Sequence, residues 1–389
     1  MENVTSFRAR FSALENYCHL ISNSLGAMPD AARDGALAYT DAWSQKGVSA
    51  WKDPWMMMSR NVGDRLATIM NAPPDSVSMH PNVTSATATL LSCLNIAGTR
   101  NKVVMVEHEF PSLLYLYREW VRDEGRVEVV PAVDAISFST EALLDAIDEQ
   151  TLLVPISHVL FRSSYKVDVE AIVEKAHRVG AKVVLDVFQS LGCVPVLITK
   201  WNVDFAVGGC LKWLCGGPGA CFLYVRPDLA ATLTPRFTGW LAHVQPFEFS
   251  SGAQEYATGA NRFISGTPVI PALYTCQAGL DIISEVGVDA IRTRSLQATE
   301  HLLGEARKRG WPVTTPQDGD RRGGTVAINI PNAEHIAAEL CARNILVDFR
   351  PRAGIRISPH FYNTDDELNL LVHEIETIIK SAQETTQNR

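Results

Sequence analysis

No two cysteines in this chain are spaced as Cys-x-x-Cys, and none of the eight (Cys18, Cys93, Cys193, Cys210, Cys215, Cys221, Cys276 and Cys341) falls at a zinc-ligand spacing. A structural metal is therefore not expected, and in a reducing compartment most of these thiols should be buried and free, serving as small hydrophobes. Also missing is any run of eighteen uncharged apolar residues, which excludes a membrane-spanning helix. The opening segment MENVTSFRARFSALENYC lacks the apolar core of a signal peptide, so the expected location is the cytoplasm. There is no Lys/Arg block, and the formal net charge is −8, so neither nucleic acid nor a membrane is the expected partner. A small molecule fits better. Internal repeats and low-complexity stretches are absent too, and only the last residues, SAQETTQNR, are expected to be disordered.

What the 389 residues do contain is ample core material: 46% are hydrophobic and 20% charged. A length of this order suits one large domain and one smaller one. From about residue 100 to 225, apolar β-rich runs alternate with helical segments. KVVMVE (102–107), TLLVPISHV (151–159), KVVLDVF (182–188), VDFAVGG (203–209) and ACFLYV (220–225) read as strands. Between the second and third, VDVEAIVEKAHRVGA places Val169, Ile172, Val173 and Ala176 on one helical face, and Gly180 supplies the stop. Nearly all-apolar strands alternating with helices predict parallel pairing with both sheet faces covered, a doubly wound α/β core. Residues 271–310 read as long and helical, with Gly279 and Gly287 as possible breaks. TVAINI (325–330), a helix over 333–344, ILVDF and an amphipathic helix over 364–383 predict a small α+β C-terminal domain. The expected division is residues 1–30 as an N-terminal segment of the small domain, 31–275 as the large domain and 276–389 as the small domain.

In open α/β sheets ligands bind beyond the carboxyl ends of the strands, and two charged residues stand there. Asp186 ends the greasy run VVLD, where an ionised group must be exposed, paired or chemically employed. Lys212 follows the strand VDFAVGG, lies between Leu211 and Trp213, and precedes Gly-Gly-Pro-Gly. A lysine in such apolar surroundings is expected to have a lowered pKa and to be a usable amine nucleophile. Taken singly, the lysine could snorkel to water and the aspartate could cap a helix. Their order along consecutive strand ends favours chemistry.

The ordered set of Asp186-x-x-Gln189, Asp204 in WNVDFAVGG, Lys212 and Gly-Gly-Pro-Gly resembles the core of pyridoxal-phosphate (PLP) enzymes of the aspartate aminotransferase fold, fold type I. Within them it resembles the class V aminotransferase family, which includes kynureninases and cysteine desulfurases. DVFQSLGCVPVLITKWNVDFAVGGCLKWLCGGPGACFLYV is similar to kynureninase over nearly its whole length, and a weaker likeness runs from about residue 75 to the C-terminus. The resemblance implies a large, mostly parallel doubly wound sheet domain with a smaller α+β domain, and PLP carried covalently on Lys212. It implies that Asp186 faces the pyridine nitrogen and keeps it protonated, and that Gln189 donates to the ring oxygen. In HPNVTSATATLL (80–91), Thr84 and Ser85 are implied to hold the phosphate at a helix start. In EHEFPSLLYLY (107–117), Phe110 matches the aromatic that stacks on the cofactor. RFISGTPVIP (262–271) resembles the segment that crosses to a neighbouring subunit, so that Thr267 would complete the partner's site in a homodimer with shared active sites. Trp240 in FTGWLAH matches a tryptophan near the phosphate, and Arg356 in AGIRISPHFYNTDDEL matches the grip on the substrate's α-carboxylate.

Several positions depart from the kynureninase pattern. Leu113 stands where Asp is expected, Leu211 where Tyr or His is, Gln189 where His is, and Gly266 where Asn is. A desulfurase of the persulfide type needs a mobile-loop cysteine shortly before the arginine, and NILVDFRPRAGIR has none. These losses imply an intact PLP engine with an altered, more apolar substrate pocket, to which Trp43, Trp51 and Trp55 could contribute. The function expected on this resemblance is action on an α-amino acid, with cleavage of a Cβ–C or Cβ–S bond as the leading reading. An aminotransferase is the alternative, and a PLP-binding protein without turnover is a third.

Overall fold

The structure is a computed structural model and describes residues 4–387. At its centre lies a seven-stranded sheet: β1 (Val77–His80), β2 (Lys102–Val106), β3 (Arg126–Val130), β4 (Thr151–Ser157), β5 (Lys182–Asp186), β6 (Phe205–Gly209) and β7 (Cys221–Val225). Their spatial order is β1-β7-β6-β5-β4-β2-β3. The run from β3 to β6 is parallel, joined by crossovers such as the helix Val169–Arg178 between β4 and β5. All five residues of β2, β6 and β7 are buried, as strands covered on both faces require.

Two features differ from the sequence expectation. β7, read there as one more parallel strand, pairs antiparallel with both β6 and β1, because a short connection through the Gly-Gly-Pro-Gly turn sends the chain straight back. The edge strand β3 and the strand β1 are additional. β3 is half-solvated, with an alternating exposure pattern rather than an apolar run.

Behind the sheet the predicted long helix is two helices, Ile270–Val286 and Val288–Arg309, broken at Gly287. Gly279 does not break the first. A Cβ there would stand 2.1 Å from the Leu214 carbonyl oxygen, so glycine lets the helix lie directly on the turn that follows Lys212. Gly26 does the same from the other side: its Cβ would meet the Lys212 carbonyl oxygen at 2.1 Å, and its N–H donates to Leu211 O at 3.0 Å. The lysine segment is thus clamped between two backbones at contacts where a methyl group has no room.

The expected division after residue 275 falls inside the helix Ile270–Val286, whose Ile270, Leu273, Cys276, Leu280 and Ile283 all join the core of the large sheet. Ile291 in the next helix still joins that core, and Phe361 and Tyr362 return to it. A second core gathers the following helix, a three-stranded antiparallel sheet (Asp348–Arg350, Gly354–Ile357 and Val326–Ile328), the helix Ala333–Ala342 and the C-terminal helix Asp365–Gln387. Cys18 and Leu20 bury into this second core, and Cys18–His19 pairs in parallel with Ile345–Leu346. The tail expected to be disordered from Ser381 onward continues the C-terminal helix to Gln387, and residues 388–389 lie outside the described residues, as do residues 1–3. All eight cysteines are free thiols, six of them buried. Among the described residues no helix is long and apolar enough to cross a membrane, and no cluster of side chains is arranged to hold a metal ion.

Candidate active site

The parallel strands deliver their carboxyl ends to one side of the sheet, and a cavity of about 340 Å³ opens there. Thr84, Phe110, Ser157, Asp186, Phe188 and Lys212 line it, drawn from five strand ends or the segments just after them, with Asp186 and Phe188 both from β5. Its volume lies in the range of small-molecule and cofactor sites.

Lys212 arrives three residues after β6. Burial pushes its amine down to about 8, with Asp186 opposing that shift and Arg356 adding to it. Its Nζ lies 4.4 Å from the centroid of the Phe188 ring, a cation–π contact that holds the amine over an apolar face. At neutral pH a usable fraction of this amine is the free base, which is what a nucleophile for a carbonyl carbon needs. Asp186 ends β5 and is 9% exposed. Its Oδ1 accepts from the Phe188 N–H at 2.8 Å. Burial raises its pKa, while that N–H and Lys212 oppose the rise. A buried carboxylate with so few donors is suited to a cationic partner such as a protonated ring nitrogen.

Of the residues expected at the cofactor, Thr84, Phe110, Asp186, Gln189 and Lys212 are brought together on this cavity. Phe110 is 47% exposed, with its ring edge-on to Phe161 at 5.3 Å, so it has a free face to offer. Gln189 lines the cavity, but its amide is engaged by the protein: Nε2 donates to Asn23 O at 3.0 Å, and Oε1 accepts from Trp213 Nε1 at 3.2 Å. Ser85 does not line it. Its N–H donates to the Asn82 side chain at 2.9 Å and its hydroxyl to Asn82 O at 2.8 Å, closing an N-cap on the helix Val83–Leu91. Asn82 itself lines the cavity beside Thr84, so the helix start presents Asn82, Val83 and Thr84 to it rather than the Thr84–Ser85 pair.

Three further expectations are placed elsewhere. Trp240 does not line this cavity; it packs on Trp51, Phe247 and Phe249, in an aromatic cluster with Phe249 71% exposed. Thr267 is exposed and likewise does not line it. Trp43, Trp51 and Trp55 stay with that cluster and the helices near it, and they shape no wall of the Lys212 cavity within one chain. Asp204 sits at the opposite end of the sheet, where it accepts from His177 Nε2 and Val183 N at 2.8 Å and pairs with Arg226 at 3.1 Å, a structural pin.

Arg356 is buried and fully partnered. Nε and Nη2 form a fork on Asp348 at 2.7 and 2.5 Å, Nη1 donates to Phe161 O at 2.5 Å, and Nη2 also reaches Ser24 Oγ at 3.3 Å. The antiparallel register that sets Asp348 opposite Arg356 dictates this pair. The carboxylate grip expected of Arg356 therefore has its bidentate edge on an internal acid. Beside it, the Arg162 guanidinium lies 5.0 Å from the centroid of the cavity-lining Phe161 ring and makes no ion pair among the described residues. Burial lowers its pKa, the nearby Arg352 and Arg356 lower it further, and Glu107 opposes the shift.

The walls fit PLP on the structure's own terms: an isolated lysine of lowered pKa, a buried carboxylate across from it, a free aromatic face and a helix start with an Asn/Thr loop. Comparison with known proteins agrees. Residues 39–371 match the model of the aminotransferase class-V family, and the chain belongs to that family. It is a PLP-dependent enzyme of fold type I. An uncharacterized aminotransferase, YcbU, of Bacillus subtilis (strain 168) is 30% identical over 369 residues, covering 95% of this chain and 96% of that protein. A kynureninase of Bacillus thuringiensis subsp. konkukian (strain 97-27) is 26% identical over 398 residues, covering 98% and 93%. In fold, a cysteine desulfurase of Thermococcus onnurineus NA1 superposes with a TM-score of 0.88 at 20% identity, covering 98% of this chain and 99% of that one.

Leu113 and Leu211, two of the departures from the kynureninase pattern, both line the cavity, so the altered positions lie on its wall. Residues that the sequence reading left unassigned complete it: Asn82, Ser157, Phe161 and Phe188 on the wall, with Glu109 behind it. Phe188 and Asn82 were within reach of sequence reasoning, one being two residues beyond Asp186 and the other a helix N-cap.

Proposed function

We propose that the enzyme acts on an α-amino acid and cleaves a Cβ–C or Cβ–S bond. The observation that carries this reading is the lone amine of Lys212 in a cavity where two of the three altered wall positions, Leu113 and Leu211, are apolar and the third, Gln189, is engaged by the protein. When bound, PLP supplies an aldehyde carbon for an amine and a ring that draws electrons from the bonds at the substrate's α-carbon. Lys212 would hold the cofactor, and its amine would be the base placed to take and return a proton at the substrate's Cα. Asp186 would keep the ring nitrogen protonated, Phe110 would offer its face, and Asn82 and Thr84 would receive the phosphate at the helix start. The substrate's carboxylate goes to the arginine rim, where Arg162 makes no ion pair among the described residues, with Glu107 its nearby acid, and Arg356, tied to Asp348, fixes the carbonyl of Phe161. The likeness to kynureninases over 98% of the chain supports the lyase reading. The likeness to YcbU supports a second reading, transamination.

A panel of amino acids, including S-substituted cysteines and kynurenine, tested with and without a 2-oxo acid, separates the two. Pyruvate or alanine released without an acceptor supports the lyase. Turnover that strictly requires the 2-oxo acid replaces it with the aminotransferase.

The same reading makes the enzyme a homodimer. Thr267 is exposed, and Trp240 belongs to an aromatic cluster in which Phe247 and Phe249 are 52% and 71% exposed. Neither Thr267 nor Trp240 lines the cavity of its own chain, and a two-fold partner gives both a site to complete. Light scattering on the holoenzyme is expected to return twice the chain mass of 42.7 kDa; a monomer with undiminished PLP affinity contradicts the shared site. The free thiols suit the reducing cytoplasm, which is the location proposed for it.

A further inference from the structure

A second carboxylate lies behind the cavity wall, and the proposed chemistry does not use it. Glu109 follows β2 by three residues, is 2% exposed and makes no ion pair among the described residues. A buried acid without a cation is unfavourable unless it is hydrogen-bonded or neutral. Ser157 supplies its main partners: Ser157 N–H donates to Oε1 at 2.8 Å, and Ser157 Oγ lies 2.5 Å from Oε2, with the Phe110 backbone N–H also acting on the carboxylate. Ser157 ends β4 and lines the cavity, and the parallel register sets it directly opposite Asp186 on β5. Neighbouring residues in register on adjacent strands point to the same face, so the Ser157 and Asp186 side chains stand side by side.

The groups that face Glu109 from the surrounding elements are few. Ser157 comes from β4 and Asp186 from β5. From the helix Pro111–Val121 comes Tyr117, whose hydroxyl is buried without a hydrogen-bond partner. Lys212, the nearest cation on this wall, acts on Asp186. The adjacent His108 turns the other way, with Nε2 at 3.1 Å from Asp134 O. Two carboxylates therefore share one buried wall with a single lysine.

We infer that Glu109 is a positioning residue of the cofactor site: it holds Ser157 against the cavity and, by gaining or losing its own proton, sets the charge of the wall beside Asp186. When Glu109 carries a proton, Asp186 is the sole negative charge next to the ring-nitrogen position. When Glu109 is ionised, the wall gains a second one, which favours a protonated ring nitrogen and disfavours ionisation of Tyr117. Burial chiefly, with Asp186 adding, raises the Glu109 pKa to about 7 against the opposing hydrogen bonds from Ser157 and the Phe110 backbone. The change of state thus falls near neutrality. This inference rests on the Lys212 and Asp186 cofactor site and is independent of which substrate bond is broken.

The sign for stability follows from the raised pKa. The folded protein holds this proton more tightly than the unfolded chain, so the stability linked to Glu109 is present at low pH and is lost as pH rises from about 4.5 through about 7. Glu109→Gln keeps the acceptor for Ser157 N–H and removes the titration. Two measurements test the inference. In cofactor-free protein, the thermal midpoint of Glu109→Gln relative to wild type is expected to rise between about pH 5 and about pH 8; a difference that stays constant overturns the titration. In holoenzyme, the visible cofactor absorption of wild type is expected to change through a step near neutral pH that Glu109→Gln lacks and Ser157→Ala displaces. Identical pH profiles in all three proteins overturn the link to the cofactor wall. The cofactor-free measurement needs neither PLP binding nor turnover, so failure of the proposed reaction leaves it readable.

Discussion

Lys212→Ala is expected to abolish covalent capture of PLP and to lower turnover by at least ~10³-fold, while leaving the protein folded. The folded state tolerates the change because the Lys212 amine makes no hydrogen bond or ion pair among the described residues and sits in the cavity over the Phe188 ring, while the backbone carbonyl that accepts from Cys215 N–H is kept. The pH dependence makes the prediction sharper. An ordinary lysine becomes nucleophilic only near its usual pKa of about 10.5, whereas burial brings this amine to about 8. The rate at which cofactor-free enzyme captures PLP should therefore rise through about pH 8 and level off above it. A capture rate that keeps climbing to pH 10 would show that the amine is solvated and that the cavity lysine is not the nucleophile.

Asp186→Asn should retain PLP but lose roughly 10²- to 10³-fold in turnover. Asparagine fills the same volume and can still accept from the Phe188 N–H, so the loss isolates the carboxylate's charge from its packing. A companion effect has a definite sign. Asp186 raises the Lys212 pKa against burial, so removing its charge should move the capture profile to lower pH. Equal turnover in the two proteins, or an unmoved profile, would remove Asp186 from the electrostatics of the site.

How much of this was readable from residues alone depended on burial pattern. β5 and β6 were legible because both faces of each are covered, which gives unbroken apolar runs ending on Asp186 and on Gly-Gly. β3, at the sheet edge with half its residues solvated, carries only the alternation of RVEVV and is easily taken for a loop. The direction of β7 was not legible, since an apolar strand looks the same in parallel and antiparallel pairing. The break at Gly287 and the continuity at Gly279 were indistinguishable too; only the close approach of the Leu214 carbonyl shows why a glycine stands inside the helix.

The site divides the same way. Lys212 and Asp186 are local signals, a charge at the end of an apolar strand, and both reach the cavity. Arg356 gave an equally strong local signal, yet its role depends on Asp348, eight residues earlier in the chain and opposite it across a hairpin. Glu109 and Ser157 are 48 positions apart and meet only because β2 and β4 are neighbours in the sheet. Ser85 shows the converse ambiguity: Ser and Thr at a helix start suit either an anion or the helix's own cap, and here the N–H and hydroxyl of Ser85 are both engaged by Asn82.

The central claim is that Lys212 is the residue that carries PLP. Reducing the holoenzyme with borohydride, digesting it and locating the cofactor by mass spectrometry tests that claim directly. The account predicts a phosphopyridoxyl group on the peptide that contains Lys212 and on no other; cofactor recovered on a different lysine, or released unattached, would contradict it.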